Sequence, residues 1–181
     1  AINLNSGTGG TEHIGLTGSG GAGLNTWEGA TTIAMWIKPN GVPTIWDGLY
    51  SSANGSTTSG TSFGFGTSGV LRLASDSGSP NVDSTTAVTA NEWSHVVVSY
   101  DGTDATFYIN GVAAGGGAYD QDGASTDDFA IGQFYGGVQQ AQYKFDGYIR
   151  QLQHFPSALS AGEGGVVRHI PTQGHHDGKR A

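Results

Sequence analysis

The sequence predicts an all-β fold in which antiparallel strands pack as a sandwich or a barrel. Glycine (32), serine (17) and threonine (18) make up 67 of the 181 residues, and only 12% of residues are charged, a composition that disfavours helices. Hydrophobic residues reach 36% and aromatic residues 10%, which is enough apolar material for the core of one domain. Short apolar runs separated by Gly, Asn, Asp and Ser clusters recur along the whole chain, as they do in sandwiches.

The clearest local pattern is a β-meander. Ser94–Tyr100 and Ala105–Ile109 are rich in β-branched and aromatic residues, Asp101-Gly102 lies between them, and Asn110-Gly111 follows. Both dipeptides tolerate the positive φ of tight hairpin turns, so two consecutive hairpins are predicted. Patterns of the same kind predict further strands at Thr32–Lys38, Thr44–Tyr50, Ser62–Phe65, Val70–Ala74, Asp128–Tyr135, Tyr143–Phe155 and Val166–Ile170.

A bulge is predicted near Arg150, inside the long strand Tyr143–Phe155. Ile149 shares a face with the earlier apolar residues of this strand, but the next apolar residue, Leu152, is three positions further on. Because side chains alternate with a period of two, an extra residue near Arg150 restores the inward direction of Leu152.

The segments between the strands predict loops and one short helical turn. Glycine-rich composition predicts loops at Gly7–Gly23, Asn54–Gly60 and Gly115–Asp127. After Pro156, the pair Ser160 and Glu163 has capping-box spacing, which predicts about one turn of helix. No linker divides the chain, so residues 1–170 are predicted to form a single domain, followed by a polar tail at residues 171–181.

The charge of the chain excludes several classes of partner. The formal net charge is −8, with 15 acidic and 7 basic residues, so nucleic acid and anionic membrane surfaces are not expected as partners. There is no cysteine, so neither a disulfide framework nor a thiolate metal site is expected. The start at Ala1 fits either removal of an initiator Met or cleavage of a signal peptide, and export therefore stays open.

Several motifs follow one another in the order of a known family. TIAMWIKPNG begins at Thr32, and EWSHVVV begins at Glu92 and leads to YDG and FYINGV. FAIG, FDGYI and FPSALSAGE follow from Phe129, Phe145 and Phe155. In residue types and order, these motifs resemble laminin-G-like and pentraxin-like domains. The resemblance implies a concanavalin A-like jelly roll, which is a sandwich of two antiparallel sheets, with ligands bound at the rim loops and often beside calcium.

The chain departs from the family pattern at two places. After Ile131-Gly132, where pentraxin-like members carry acidic calcium ligands, this sequence has Gln133, Phe134 and Tyr135. Arg150 stands where the family usually has Asp. Because calcium prefers hard oxygen ligands, the calcium site of the family is not expected here.

No catalytic constellation is predicted. Glycosidases with this fold place two carboxylates two or four residues apart on one strand, so that both reach one sugar. The only Asp-x-Asp pattern is Asp120-Gln121-Asp122, which lies in a glycine-rich segment. Polysaccharide lyases with a jelly roll share the pattern of Tyr143-Lys144 to Tyr148, but their other two motifs are missing. The sequence therefore predicts a protein that is not an enzyme.

The acidic residues around position 120 are the candidate metal ligands. With loop carbonyls they could supply the oxygens of a calcium site, but a solvated loop without metal is the favoured interpretation. No cofactor is expected other than calcium at this place. The candidate ligands are Asp120, Asp122, Asp127 and Asp128.

Aromatic residues are the candidate binding residues. Trp36 and Trp93 fall on well-patterned strands and are predicted to lie in the core. Other rings lie near predicted loops or strand ends, where they could stack on a sugar or be buried beneath the rim loops. The candidate ligand-binding residues are Trp46, Tyr50, Tyr119, Phe134 and Tyr135.

Two functions are consistent with these observations. The first is a non-catalytic binding or structural module, since the chain resembles the stand-alone jelly rolls that tailed phages carry as capsid decoration, head-fibre or tail-associated proteins. Its partners would be a virion shell protein or further copies of itself, with possible weak contacts to host glycans, and its location the virion surface. The alternative is a secreted, lectin-like module of a glycan-processing protein, with an extracellular location.

Overall fold

The computed structural model describes residues 2–4, 14–16, 29–52, 60–75, 80–121, 129–134, 143–160 and 162–163. These form two antiparallel six-stranded sheets. Sheet A contains, in spatial order, β1 (Ile2–Leu4), β12 (Gly147–Phe155), β3 (Thr31–Pro39), β8 (Ser94–Tyr100), β9 (Asp104–Ile109) and β10 (Val112–Ala118). Sheet B contains β2 (Ile14–Leu16), β11 (Phe129–Ile131), β4 (Gly48–Ser51), β5 (Thr61–Phe65), β6 (Val70–Ser75) and β7 (Val82–Ala87).

This arrangement confirms the predicted all-β, two-sheet jelly roll. Strands that follow one another in the chain often lie in different sheets, and β1 and β12, the first and last strands of the described residues, are neighbours. The core lies between the two sheets and is formed by alternate residues of each strand. Two stacked aromatic pairs connect its layers, Phe63 with Phe107 at 6.3 Å and Phe65 with Phe145 at 5.7 Å between ring centroids.

The predicted meander is confirmed. β8 has the predicted bounds, and β9 begins one residue earlier than predicted, at Asp104. Gly102, Asn110 and Gly111 have positive φ values of 105°, 53° and 75°, as tight turns require.

The predicted bulge is also confirmed. Arg150 pairs with Trp36 and Gln153 pairs with Ala34, so two residues of β12 lie opposite one residue of β3. Gln151 takes up the irregularity with a φ of 52°. Leu152 consequently packs against the core.

Three predicted strands are shorter in the structure. β4 begins at Gly48 rather than at Thr44, because the Asp47 carboxylate accepts hydrogen bonds from the backbone N–H and the hydroxyl of Thr44 and closes a turn there. The strand predicted at Asp128–Tyr135 is Phe129–Ile131, and the strand predicted at Tyr143–Phe155 begins at Gly147.

Two predicted loops contain strands. β2 lies inside Gly7–Gly23, and β10 covers the first residues of Gly115–Asp127. β10 is rich in small residues and has no strand propensity of its own, but β9 supplies its hydrogen-bond partners. A Cβ at Gly116 would overlap the carbonyl oxygen of Ala105, so glycine permits the close approach of these two strands.

The capping pair after β12 is present. Glu163 accepts a hydrogen bond from the Ser160 backbone N–H at 3.0 Å and one from the Ser160 hydroxyl at 2.7 Å. The strand predicted at Val166–Ile170, the tail at residues 171–181 and residues 53–59 of the predicted loop lie outside the described residues. Within the described part of the chain, no helix is long and apolar enough to cross a membrane.

Candidate functional site

An open cleft of about 330 Å³ lies at one end of the sandwich. The turn between β8 and β9 forms one wall and the end of β10 forms another, while Pro80 closes the side before β7. We call this the rim cleft, and its lining residues are Pro80, Tyr100, Gly102, Thr103, Ala118, Tyr119 and Asp120.

Hydrogen bonds hold the walls of the rim cleft together. The Tyr119 backbone N–H donates to the Thr103 carbonyl at 3.0 Å, which ties β10 to the turn. The hydroxyls of Tyr119 and Thr61 lie 2.9 Å apart, and the Tyr100 hydroxyl donates to the Tyr119 carbonyl at 3.4 Å. Asp101 accepts the backbone N–H groups of Thr103 and Asp104, both at 2.8 Å, and so orders the turn.

The electrostatic potential in the rim cleft is negative. Burial raises the pKa of the Tyr100 hydroxyl, and the negative charges of three nearby aspartates raise it further: Asp120, Asp101 and Asp104. The two backbone N–H groups that Asp101 accepts lower the pKa of its carboxyl, so this group stays ionised. Such a cleft disfavours anions and can accept hydrogen bonds from neutral hydroxyl groups or bind a cation.

Three of the predicted binding rings are buried, and we correct their assignment as stacking residues. Tyr50 and Phe134 have no exposed surface, and Tyr119 is 3% exposed. Tyr50 points into the core, whereas Phe134 packs on the opposite face of sheet B, against Gly48 and Gly64. A ring without an exposed face cannot stack on a sugar, so the alternative, in which a jelly-roll rim buries its own rings, applies to these three.

Trp46 is half-buried and participates in a stack of side chains. Its ring contacts Phe134 edge to face at 5.0 Å, and the Arg72 guanidinium lies 4.8 Å from the ring centroid. Arg72 in turn forms two hydrogen bonds of 2.7 Å with Asp83. These contacts pack the four side chains together on the outer face of sheet B. Ligand binding by Trp46 stays a prediction. Tyr135 lies outside the described residues, so its role also stays a prediction.

The structure describes one of the four candidate metal ligands. Asp120 is exposed and lines the rim cleft, whereas Asp122, Asp127 and Asp128 lie outside the described residues. Among the described residues, no group of three or more His, Asp or Glu side chains could hold a metal ion. Calcium binding at this place stays a prediction.

Sequence reasoning placed two tryptophans on the wrong side of sheet A. Trp36 and Trp93 are half-buried and do not belong to the core, which corrects their predicted position. Ile33, Met35 and Ile37 of β3 point into the core, so the alternate position Trp36 points away from it. The alternation in TIAMWIKP carried this signal, because its charged residue, Lys38, shares the face of Trp36.

The exposed part of sheet A carries a cluster of aromatic and basic side chains. The Arg150 guanidinium carbon lies 4.2 Å from the Trp93 ring centroid and 5.3 Å from that of Trp36. Tyr148 lies 6.3 Å from Trp93 between ring centroids. We call this surface the outer face cluster, and it consists of Trp36, Lys38, Trp93, Tyr148 and Arg150.

A family model described as the concanavalin A-like lectin/glucanases superfamily matches residues 8–163. The chain belongs to this superfamily. The sandwich of two antiparallel sheets is consistent with that membership, and the family match confirms the resemblance seen in the sequence motifs. No curated protein matches the chain in sequence.

Solved structures of similar fold include several carbohydrate-related domains. Domain 4 of AbnA, a GH43 extracellular arabinanase from Geobacillus stearothermophilus in complex with arabinotriose, has 19% identity and a TM-score of 0.64, covering 93% of this chain and 82% of that chain. The CBM40 of the Ruminococcus gnavus IT-sialidase, bound to α2,3 sialyllactose, has 17% identity and a TM-score of 0.63, covering 88% and 99%. A heptameric SAP-like pentraxin from Limulus polyphemus has 21% identity and a TM-score of 0.57, covering 77% and 70%. At these identities the likeness shows the fold alone.

Proposed function

We propose that this domain is a non-catalytic carbohydrate-binding module that takes a neutral glycan in the rim cleft. The observation that carries the proposal is the open cleft of about 330 Å³ with hydroxyl and carboxylate groups in its wall. Ligand pockets span roughly 300–1,000 Å³, so this volume suits one or two sugar units. The Asp120 carboxylate can accept hydrogen bonds from sugar hydroxyls, and Thr103 can donate or accept one.

The negative charge of the rim cleft favours neutral glycans over acidic ones. The aspartates around Tyr100 make the rim cleft negative, which disfavours a uronate or sialic acid there. The arabinanase domain was solved with arabinotriose, which is a neutral sugar, and this supports the same class of ligand for the present chain.

The carboxylates of the described residues support the non-catalytic part of the proposal. A glycosidase needs a protonated acid of raised pKa beside a second carboxylate. Backbone hydrogen bonds lower the pKa of Asp101 in the cleft wall. Burial raises the pKa of Asp47 and the charge of Asp146 raises it further, but Asp47 is buried and its carboxyl is occupied by the two hydrogen bonds from Thr44. Neither group suits the role of a general acid.

Binding of neutral oligosaccharides to purified protein tests the proposal. Arabinotriose and other neutral oligosaccharides are titrated by calorimetry, and we expect Asp120→Asn to weaken the binding at least about fivefold, because a hydrogen bond to a charged group contributes ~1.5–3 kcal/mol. Thr67→Ala is the matched control, since Thr67 is exposed at the opposite end of the sandwich. Equal affinity of the Asp120→Asn variant and the wild type, or release of reducing ends from any polysaccharide, would overturn the proposal.

The location of the module is a second part of the proposal. The edge strands of the two sheets could pair with a shell protein or with further copies of the domain, which supports a place on a virion surface. The likeness to a domain of an extracellular arabinanase supports a secreted, lectin-like module instead. Mass spectrometry and electron microscopy of purified particles separate the two, because a decoration protein is present in fixed stoichiometry on particles and a secreted module is found in the particle-free supernatant.

A further inference from the structure

We propose that the outer face cluster is a second binding site, in which Arg150 binds the carboxylate of an acidic sugar. The site lies on sheet A and differs from the rim cleft in both position and charge. It does not depend on the neutral-glycan site, and the two can be tested separately.

The register of three strands brings the cluster together. Tyr148 pairs with Lys38 and Arg150 pairs with Trp36, whereas Ile149 between them points into the core. All four side chains therefore lie on the outer face of sheet A. Trp93 precedes β8, and its ring centroid lies 4.2 Å from the Arg150 guanidinium carbon.

One end of this outer face is covered by the chain itself. The segment after β12 crosses its far end, where the Thr32 hydroxyl donates to the Ser157 carbonyl at 2.8 Å and the Leu159 backbone N–H donates to the Thr32 hydroxyl at 2.9 Å. The Ser99 hydroxyl donates to the Leu159 carbonyl at 3.0 Å. The described chain thus closes one end of the face and leaves the end with Trp36 partly exposed.

The Arg150 guanidinium is positioned by contacts with aromatic rings and not by hydrogen bonds to described residues. Two indole rings flank the guanidinium, and such cation–π contacts fix the plane of the group. Within the described part of the chain, Arg150 forms no salt bridge and no hydrogen bond, and its Nε atom is buried without a partner. Since Nε is buried, a carboxylate from solution would bind at the two terminal Nη groups, through two parallel hydrogen bonds.

Two cationic side chains, Lys38 and Arg150, lie together on this part of the outer face, and the nearby Asp146 carboxylate accepts a hydrogen bond from Asn40. Lys38 and Arg150 both lack a carboxylate partner among the described residues, where the ion pair is Arg72 with Asp83 on sheet B. Glu92 is next to Trp93 in the sequence, but it is exposed and forms no ion pair with Arg150.

The rings beside Arg150 favour a sugar acid over a simple anion. Tyr148 and the tryptophans offer apolar surface to the C–H face of a sugar ring, while Lys38 adds a second positive charge beside it. A uronic or sialic acid presents both an apolar face and a carboxylate, whereas inorganic phosphate and sulfate present only charge.

Titration of matched sugars tests this site. Sialyllactose and a galacturonate oligosaccharide are compared with lactose and with the methyl ester of the same galacturonate. We expect the acidic sugars to bind the wild type, the methyl ester to bind at least about tenfold more weakly, and Arg150→Gln to lower the affinity for the acid by a similar factor. Arg150→Lys keeps the charge but loses the planar donors, so its affinity should lie close to that of Arg150→Gln.

Two further variants keep the test valid if Arg150 variants unfold. Lys38→Gln leaves the indole stack intact and should weaken acid binding about threefold, and this loss should disappear at high salt because it is electrostatic. Asp120→Asn in the rim cleft should leave acid binding unchanged. Equal affinity for acid and ester, or equal binding of inorganic phosphate and the sugar acid, would overturn the inference. If Asp120→Asn does not change neutral-sugar binding, the proposed function of the rim cleft fails, and the acid-binding site is still judged by the acid and ester affinities.

Discussion

Trp36 and Trp93 differ energetically from the rings of the core, although all are large and aromatic. Each tryptophan keeps part of its surface exposed and contacts Arg150, whereas Phe107 is fully buried and stacks on Phe63. Since the free energy of removing a ring depends on the surface that it withdraws from water, the two classes should respond differently to truncation.

We expect Phe107→Ala to reduce the free energy of unfolding by about 3–5 kcal/mol and Trp93→Ala to reduce it by about half that amount or less. Equilibrium urea unfolding of the two variants and the wild type measures the difference. A loss for Trp93→Ala as large as that for Phe107→Ala would show that Trp93 is a core residue.

At the scale of elements, two glycines on sheet B permit a close approach of the chain segment after β11. A Cβ at Gly48 would overlap the backbone of Phe134, and one at Gly64 would lie 2.9 Å from the Phe134 ring. The Ser62 hydroxyl donates a hydrogen bond to the Phe134 carbonyl on the same surface. Glycine and serine at these positions therefore allow Phe134 to lie flat on the sheet.

Gly48→Ala should consequently reduce the free energy of unfolding by more than about 3 kcal/mol or prevent folding, because the overlap is with backbone atoms that cannot rotate away. Gly41→Ala is the matched control, since nothing lies within 4 Å of a Cβ there. We expect Gly41→Ala to change the free energy by about 1 kcal/mol or less. Thermal melting of both variants measures this, and a Gly48→Ala protein that melts with the control would contradict the packing of Phe134.

The elements also differ in how well the sequence predicts them. The β8–β9 meander follows from apolar runs with Asp-Gly and Asn-Gly turns, and the bulge in β12 follows from the three-residue step between Ile149 and Leu152. The sequence predicts a loop over part of β10, because its glycines have low strand propensity. This segment forms a strand through its pairing with β9. Local patterns are therefore informative where propensity and pairing agree.

For the whole molecule, the stability should decrease in mildly acidic solution. Burial lowers the pKa of His154 from its ordinary value of 6.5, and its Nε2 atom is buried without a hydrogen-bond partner among the described residues. The unfolded chain therefore binds a proton more readily than the folded domain in the interval between the two pKa values. The contribution of neutral His154 to the free energy of unfolding is fully present above pH 6.5. It is lost as the pH falls through the folded-state pKa of His154.

His154→Phe keeps a ring beside Tyr50 and cannot titrate, so its stability should vary less with pH across this interval than that of the wild type. Urea unfolding at neutral pH and at mildly acidic pH measures the two slopes, and identical slopes would contradict a role of His154. The other five histidines remain in both proteins, so they cancel in the comparison.

The binding residues were harder to predict than the fold, for a physical reason. The sequence predicts Tyr50, Phe134 and Tyr119 as binding residues from their places near loops or strand ends, but such a place does not say whether another segment covers the ring. Of the predicted site residues, Tyr119 and Asp120 line the rim cleft. They do so because the segment after β10 is hydrogen-bonded to the turn between β8 and β9. In the sequence, Arg150 marks a departure from the family and the place of a bulge, but its contacts with Trp36 and Trp93 depend on segments that are distant in the chain.

The sequence by itself determined the fold class, the meander, the bulge and the superfamily, because these depend on alternation, turn residues and motif order along the chain. The tertiary structure alone decided which rings are covered, which tryptophans face solvent and where acidic and basic groups collect. Burial and charge at a site depend on residues brought together from different strands, and pairing across a sheet is set by register, which short-range patterns do not contain.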